Sequence, residues 1–232
     1  MHLDILIFAI IAGVLIYRLN AVLGTRHGDE RPRPNPFATP ETPVRPSPTP
    51  ILLKAVTKTL PKTAETEQLI DPAANKDGRI QTGLEEIAAV DSAFDISSFI
   101  AGAKYAFEMI VMAYANGDRA ALRPLLSPKL YADFDRGITE REVQGQVLKT
   151  EIRKISAARV IEAHLGGTMA YVTVDYTVEQ ITATRDKTGA IISGSPDEIA
   201  TVEDIWTYTR DTRSSDPNWI LIETRAAEKP AS

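Results

Sequence analysis

The side chains best suited to acid/base chemistry are His164, Asp175 and Tyr176. Asp175 and Tyr176 are neighbours on a predicted strand, and together with His164 they offer the groups that proton transfer requires, provided that the strand faces a cavity. Alternation along the same strand favours another interpretation, in which Asp175 and Glu179 lie on its solvent side. No nucleophile elbow, phosphate-binding glycine loop or HExxH motif occurs. We therefore expect no enzymatic activity, with an isomerase or dehydratase as the alternative.

Metal ligands are scarce in this sequence. Cysteine is absent, which excludes disulfides and thiolate ligands and is consistent with a reducing compartment. The three histidines, His2, His27 and His164, are far apart along the chain. We expect neither a metal site nor a cofactor.

Charge is divided unevenly along the chain. Residues 18–62 carry a net charge of +5, whereas residues 63–232 carry −9. The basic part adjoins the apolar N-terminus, where anionic lipid head groups would lie. The acidic part argues against nucleic-acid binding.

Residues 1–23 are predicted to form a membrane anchor. An uninterrupted apolar core of 13 residues runs from Ile5 to Tyr17, and snorkelling of Arg18 extends it towards the roughly 20 residues that a spanning helix needs. A cleaved signal peptide is the alternative, but no Lys or Arg precedes the core and no clear cleavage site follows it. Because the basic residues follow the segment, the positive-inside rule predicts a single-pass protein with its C-terminal side in the cytoplasm.

Residues 24–81 are predicted to form a proline-rich, disordered tether. Eight of the 15 prolines fall between Pro32 and Pro50, which excludes helix and interior strand there and favours a polyproline-II spacer. Docking of this segment into an SH3-type groove is the alternative. A flexible tail is expected at residues 227–232.

Residues 82–226 have the pattern of one folded domain, helical first and strand-like later. Helices are predicted at Thr82–Phe94, from Asp95 as N-cap to Asn116–Asp118, at Arg119–Leu126 and from Pro128 to Arg136, with a capping box at Thr139 and Glu142. Strands are predicted at Glu151–His164, Met169–Arg185, Ile199–Thr212 and Trp219–Arg225, with a loop marked by Gly189, Gly194 and Pro196. This order predicts an α+β domain in which helices cover one face of an antiparallel meander.

A curved sheet under helices can enclose an apolar cavity, and an amphipathic first helix can contact a membrane. The expected pocket residues are Phe99, Phe107, Val111, Tyr114, Leu126, Tyr131, Phe134, Tyr176 and Trp206, with plain core packing as the alternative. The expected membrane contacts are Leu84, Ile87 and Phe94, with an ordinary docked helix as the alternative.

Two motifs carry a resemblance to a known family. They are FDISSFIAGAKYAFEMIVMAYANGDRAALRPLLSPKLYADF, from Phe94 to Phe134, and VEDIWTYTRDTRSSDPNWILIET, from Val202 to Thr224. Residues 82–226 resemble the C-terminal domain of the inner-membrane translocase subunit 44 family, found in mitochondria and in bacterial relatives. The N-terminus departs from the mitochondrial pattern, because an anchor and tether replace the charged helical region linked there to chaperone binding.

The resemblance implies a nuclear-transport-factor-2-like or cystatin-like fold with an apolar pocket, no catalysis and a scaffold or adaptor role at a membrane. It also implies anionic-lipid binding through Leu84, Ile87 and Phe94. We therefore expect an inner-membrane adaptor with protein partners, linked to protein translocation or membrane-protein handling. A carrier or sensor of an apolar small molecule is the alternative.

Overall fold

The computed structural model of the protein describes residues 68–227. The predicted anchor, most of the predicted tether and residues 228–232 of the tail lie outside the described residues. The helices are α1 (Arg79–Val90), α2 (Ile96–Asn116), α3 (Arg119–Leu122) and α4 (Pro128–Val143), and the strands are β1 (Val147–Gly166), β2 (Met169–Arg185), β3 (Ile191–Asp211) and β4 (Ile220–Ala226).

The four strands form one antiparallel sheet in the order β1-β2-β3-β4. Its inner face packs against the helices, and the alternate residues of each strand form the outer face. On β2, for example, Val172, Val174 and Tyr176 belong to the hydrophobic core. Helices followed by a meander confirm the predicted α+β class.

Helix α2 is the central core helix, and local signals set both of its ends. The Asp95 carboxylate accepts a hydrogen bond from the Ser98 backbone N–H at 2.8 Å, and Gly117 follows the helix with φ of 70°, both as predicted. Within the described residues, α2 alone is long and apolar enough to span a membrane, but length and composition do not separate such a helix from a core helix. Its apolar face packs in the domain core, where Phe99, Phe107 and Ile110 are buried.

Helix α4 is longer than the sequence pattern indicated. The predicted capping box at Thr139 and Glu142 is wrong, because α4 continues through both residues to Val143. The Thr139 hydroxyl instead donates to the Asp135 carbonyl at 2.8 Å. Both residues also contact Arg119, whose guanidinium donates to Glu142 at 2.9 and 3.0 Å and to Thr139 at 3.0 Å.

Strand β3 begins at Ile191, eight residues before its predicted start. The predicted loop contains Gly194 and Pro196, yet both lie within the strand. Gly194 pairs with Ala183, and Pro196 lies just beyond, where the register with β2 shifts between Thr182 and Gln180. These residue types mark a β-bulge here. The chain turns earlier, between Asp186 and Gly189.

The folded domain begins upstream of residue 82, where the sequence pattern placed its start. Ile70 is buried and pairs with Val160 at the edge of β1, and the Asp71 N–H donates to the Val160 carbonyl at 2.9 Å. Helix α1 then packs on β1 so closely that a Cβ on Gly83 would lie 2.0 Å from the Ala163 carbonyl oxygen. These contacts hold the first helix against the sheet.

Candidate functional site

The centre of the domain is an aromatic cluster between α2 and the inner face of the sheet. The Phe107 ring lies 4.7 Å from the Tyr176 ring and 4.4 Å from the Trp206 ring, measured between centroids. All three side chains are fully buried. The structure thus brings together three of the nine predicted pocket residues, in direct contact with each other.

The other six predicted pocket residues divide between two places. Tyr114 and Phe134 meet edge to face at 5.2 Å. Leu126 belongs to the same hydrophobic core and pairs with Leu221 of β4, whereas Tyr131 and Val111 are partly buried against the core. Phe99 belongs instead to a group at the other end of α2, 4.8 Å from Trp219 and 5.9 Å from Tyr208. That these residues line a ligand pocket stays a prediction.

An open groove lies elsewhere, along the edge of β1. It has a volume of about 560 Å³ and is lined by Gln68–Ile70, Pro72, Lys104 and Ser156–Arg159. None of the nine predicted pocket residues lines it. Within residues 68–227 no three potential metal ligands come together either.

Several polar groups are buried beside the aromatic cluster. The Tyr176 and Tyr208 hydroxyls share a hydrogen bond of 3.0 Å, and the Tyr208 hydroxyl donates to the Ala103 carbonyl at 3.4 Å. Burial raises the pKa of both phenols, so both remain protonated. The Trp206 indole N–H is buried with no hydrogen-bond partner among the described residues. This donor is a polar group that the core does not satisfy.

Asp204 contributes a buried carboxyl group to the inner face, and the sequence reasoning missed it. It is the register partner of Tyr176 and has 7% of its surface exposed. Burial, and secondarily the charge of Asp175, raises the pKa of this carboxyl from 3.8 to about 6. Its position two residues before Trp206 was the available signal, because residues i and i+2 of a strand share a face.

We expect Asp204→Asn to remove most of the pH dependence of stability between pH 4 and 6. In that window the folded protein holds a proton that the unfolded chain has released, so the free energy of unfolding falls as the pH rises. The full loss, reached above pH 6, is about 3 kcal/mol for a shift of about two units. Urea unfolding at several pH values measures it.

The matched control is Asp197→Asn, which removes an exposed carboxylate from the same strand. In this variant the free energy of unfolding should change with pH as steeply as it does in the wild type. A small slope should also persist in Asp204→Asn, because burial raises the pKa of Asp175 as well. An unchanged slope in Asp204→Asn would show that its carboxyl is ionised in the folded protein.

The predicted acid/base trio is not assembled. Tyr176 points into the core, whereas its neighbour Asp175 lies on the outer face of the sheet. His164 is also outside, with 53% of its side chain exposed, and stacks on the Tyr171 ring at 4.8 Å. The alternative interpretation, an outward-facing Asp175, is the correct one.

The predicted membrane contacts are packed into the domain. Leu84 and Ile87 are buried on α1, and Phe94 lies in the loop after α1, with its ring 6.2 Å from Phe99 and 5.9 Å from Trp219. The structure therefore shows the docked-helix alternative. Lipid binding through these side chains stays a prediction, and it requires α1 to leave the sheet.

Comparison with known protein families identifies the family of this domain. A family model described as the Tim44-like domain matches residues 80–226, nearly the whole of the described fold. The chain belongs to this Tim44-like family. The match confirms the resemblance drawn from the two sequence motifs.

Solved structures give partial likenesses to this Tim44-like protein. The intermembrane space region of the chloroplast protein ARC6 is 12% identical, covering 56% of this chain and 97% of that one, with a TM-score of 0.42. A suggested dehydratase of the NTF2-like family from Streptomyces avermitilis is 13% identical, covering 59% and 100%, with a TM-score of 0.33. No curated protein matches the sequence.

Proposed function

We propose that this protein is a non-enzymatic adaptor whose Tim44-like domain is tethered at the cytoplasmic face of the inner membrane. Membership of the family indicates a scaffold or adaptor type of role. Tethering at the membrane is supported by the position of the family match. The matched domain follows an apolar segment with a basic flank in the same sequence. Helix α2 is compatible with membrane association by its length and composition, but it does not supply the anchor in this proposal.

The charge distribution supports attachment through the N-terminal segment rather than through the domain. Residues 63–232 carry a net charge of −9, and an anionic membrane surface repels such a domain within about 10 Å. Residues 18–62, with a net charge of +5, are attracted to the same surface. A covalent tether therefore keeps near the membrane a domain that would otherwise leave it.

The partner of the adaptor is expected to be a protein near the membrane, in line with a role in protein translocation or membrane-protein handling. Crosslinking in intact cells, followed by purification of the full chain from detergent, identifies such partners. Recovery of the same membrane or translocation proteins in repeated experiments supports the proposal. Recovery of this chain alone argues against an adaptor.

Deletion of residues 1–23 is expected to move the domain from the membrane fraction to the soluble fraction. The reason is that the remaining basic segment gives only electrostatic attachment, which weakens with salt. Cell fractionation at low and high salt, followed by immunoblotting, measures the distribution. Membrane association that survives the deletion and high salt would mean that the domain has an attachment of its own, to lipid or to a membrane protein.

The native absence of cysteine provides the control for orientation. Glu108→Cys places one thiol on an exposed position of α2 in the full chain. A membrane-impermeant maleimide should label this thiol only after the inner membrane is opened. Labelling in intact spheroplasts would place the domain on the other side and contradict the proposed topology.

A further inference from the structure

Helix α2 has a second apolar surface, on the side that faces away from the sheet. Only 33% of an apolar 18-residue window of this helix is buried, whereas the core helix of a soluble protein is mostly buried. Four residues spaced three and four apart form this surface, which we call the α2 stripe: Gly102, Tyr105, Met109 and Met112. Tyr105 is 66% exposed and Met112 is 39% exposed. This spacing is the one by which two helices pack along a common seam.

Gly102 leaves room at one end of the α2 stripe. A Cβ at this position would meet no atom within 4 Å, so the backbone of α2 is open to a close neighbour there. The charged residues Lys104 and Glu108 lie at the edge of the stripe and do not interrupt it. A continuous exposed apolar surface of this kind is typical of a contact surface.

The N-terminal part of the chain enters the described fold beside this helix. Gln68 lines the same groove as Lys104 of α2. Gln68 comes eight residues after Leu60, a length of chain that extends up to about 28 Å. The α2 stripe measures about 15 Å along the helix axis, from Gly102 to Met112. A segment that ends at Leu60 is therefore within reach of the whole stripe.

Residues 51–60 lie outside the described residues, and their sequence, ILLKAVTKTL, differs from the proline-rich chain before it. Leu53, Val56 and Leu60 repeat the spacing of the α2 stripe. On a helix these three residues share one side, and Lys54 and Lys58 lie away from that side. The sequence therefore predicts an amphipathic helix.

Local signals indicate both ends of this predicted helix. Thr49 is suited to the N-cap, Pro50 is suited to the first helical position, and Pro61 ends the pattern. An isolated helix of about ten residues is only marginally stable in water. Residues 51–60 therefore need an apolar surface in order to stay helical.

We propose that residues 51–60 dock as a helix on the α2 stripe of the same chain. The leucine and valine side chains of the segment then pack between the tyrosine and methionine side chains of the stripe, and Gly102 allows the two helices to approach closely. The segment carries two lysines and no acidic residue, whereas residues 63–232 carry a net charge of −9. Electrostatic attraction therefore favours the same contact.

The chain's own segment is the occupant because its linker holds it beside the stripe. A short linker gives a local concentration in the millimolar range, which a separate partner rarely reaches. Docking also buries two apolar surfaces at once, one on α2 and one on the segment. It leaves residues 24–50 as the free tether, and this consequence, unlike the docking itself, rests on the proposed function.

Hydrogen exchange of the full chain in phosphatidylcholine nanodiscs tests the docking from the side of the segment. The amides of residues 51–60 are expected to exchange at least about tenfold more slowly than those of an unstructured chain. Met112→Glu places a charge in the stripe at an exposed position, so the domain stays folded and the protection of residues 51–60 is lost. The matched control is Val143→Glu, which makes the same kind of change at an exposed position of α4 and should leave the protection intact.

Thiol labelling tests the docking from the side of α2, in a chain that has no native cysteine. Met112→Cys in the full chain is expected to react with a maleimide about tenfold more slowly than the same thiol in a Val56→Asp background, because the docked thiol is covered. Lys58→Asp puts the aspartate on the other side of the segment and should leave the slow reaction unchanged. Lys129→Cys, at an exposed position of α4, should react equally fast with and without Val56→Asp.

Three results would overturn the proposed docking. The first is a wild type without protection at residues 51–60, or with protection that survives Met112→Glu. The second is a labelling rate of Met112→Cys that does not change with Val56→Asp. The third is protection that appears only when phosphatidylglycerol is added to the nanodiscs, which would assign residues 51–60 to the membrane surface instead of α2.

Discussion

Replacing Gly83 by alanine is expected to lower the free energy of unfolding by about 1–3 kcal/mol. Inside a helix, alanine is more favourable than glycine by up to about 1 kcal/mol. Helix propensity alone therefore predicts that the substitution would raise the free energy of unfolding. The new Cβ would lie 2.0 Å from the Ala163 carbonyl oxygen and 2.6 Å from its carbon, both in the backbone of β1. Because a strand in the sheet cannot yield as a side chain can, α1 must move away.

Gly102→Ala is the matched control for this prediction. Gly102 lies inside α2, and a Cβ there meets no atom within 4 Å. This variant is expected to gain up to about 1 kcal/mol, so the two alanine variants should differ in sign. Urea unfolding followed by circular dichroism measures both. Equal stabilisation of the two would mean that α1 does not lie against β1 as described.

The Gly83→Ala variant also tests the predicted membrane contact. If Leu84 and Ile87 bind lipid only when α1 leaves the sheet, loosening α1 should increase binding to vesicles that contain anionic lipid. Hydrogen exchange reports whether α1 has loosened, and vesicle flotation of the same preparation reports binding. A loosened α1 without any increase in flotation would contradict lipid binding through these side chains.

Features that depend on neighbouring residues were predictable from the sequence. The cap at Asp95, the end at Gly117 and the buried face of α2 follow from signals within a few residues, and the structure confirms them. The start of β3 was missed because Gly194 and Pro196 are typical of a turn. Gly194 instead tolerates a close approach to β2, where a Cβ would lie 2.0 Å from the Thr182 carbonyl oxygen.

The candidate site was predictable in part. Strand alternation alone separates Asp175 from Tyr176, so the acid/base trio conflicted with a rule already available in the sequence. The same rule, applied from Trp206, places Asp204 on the inner face. Sequence could not show which aromatic residues share a cluster, because the helix that carries Phe107 can be docked on the sheet in several ways.

One salt bridge joins two residues that are far apart in sequence, and no local sequence pattern indicated it. Arg210, on β3, donates to the Asp91 carboxylate, 119 residues away, and also to the Asp216 carbonyl at 3.2 Å. The two charged side chains are 11% and 7% exposed. Asp91 follows α1 directly, and its other carboxylate oxygen accepts from the Ala93 N–H at 3.1 Å. This ion pair fixes the α1–α2 loop over the end of the sheet.

Arg210→Met is therefore expected to destabilise the domain by about 3–5 kcal/mol, because it leaves the Asp91 carboxylate buried without its cation. The double variant D91L/R210M should lose less than the sum of the two single variants, since neither charge remains to be buried. Urea unfolding of the four proteins gives the coupling energy. The loop that Asp91 holds also carries Phe94, so the single variant should expose that ring as well.

The pair of Arg136 and Asp133, which is more exposed than the pair of Arg210 and Asp91 and whose aspartate side chain is 19% exposed, gives the comparison for this cycle. Its arginine is 48% exposed and donates to the Asp133 carboxylate within α4. Arg136→Met should cost less than about 1 kcal/mol, because solvent screens a surface ion pair. Equal losses for Arg136→Met and Arg210→Met would mean that burial does not strengthen the dependence of Asp91 on its cation. A loss confined to Arg210→Met would show that burial makes the Asp91 carboxylate depend on its cation, and that this ion pair contributes to holding the loop after α1 on the sheet.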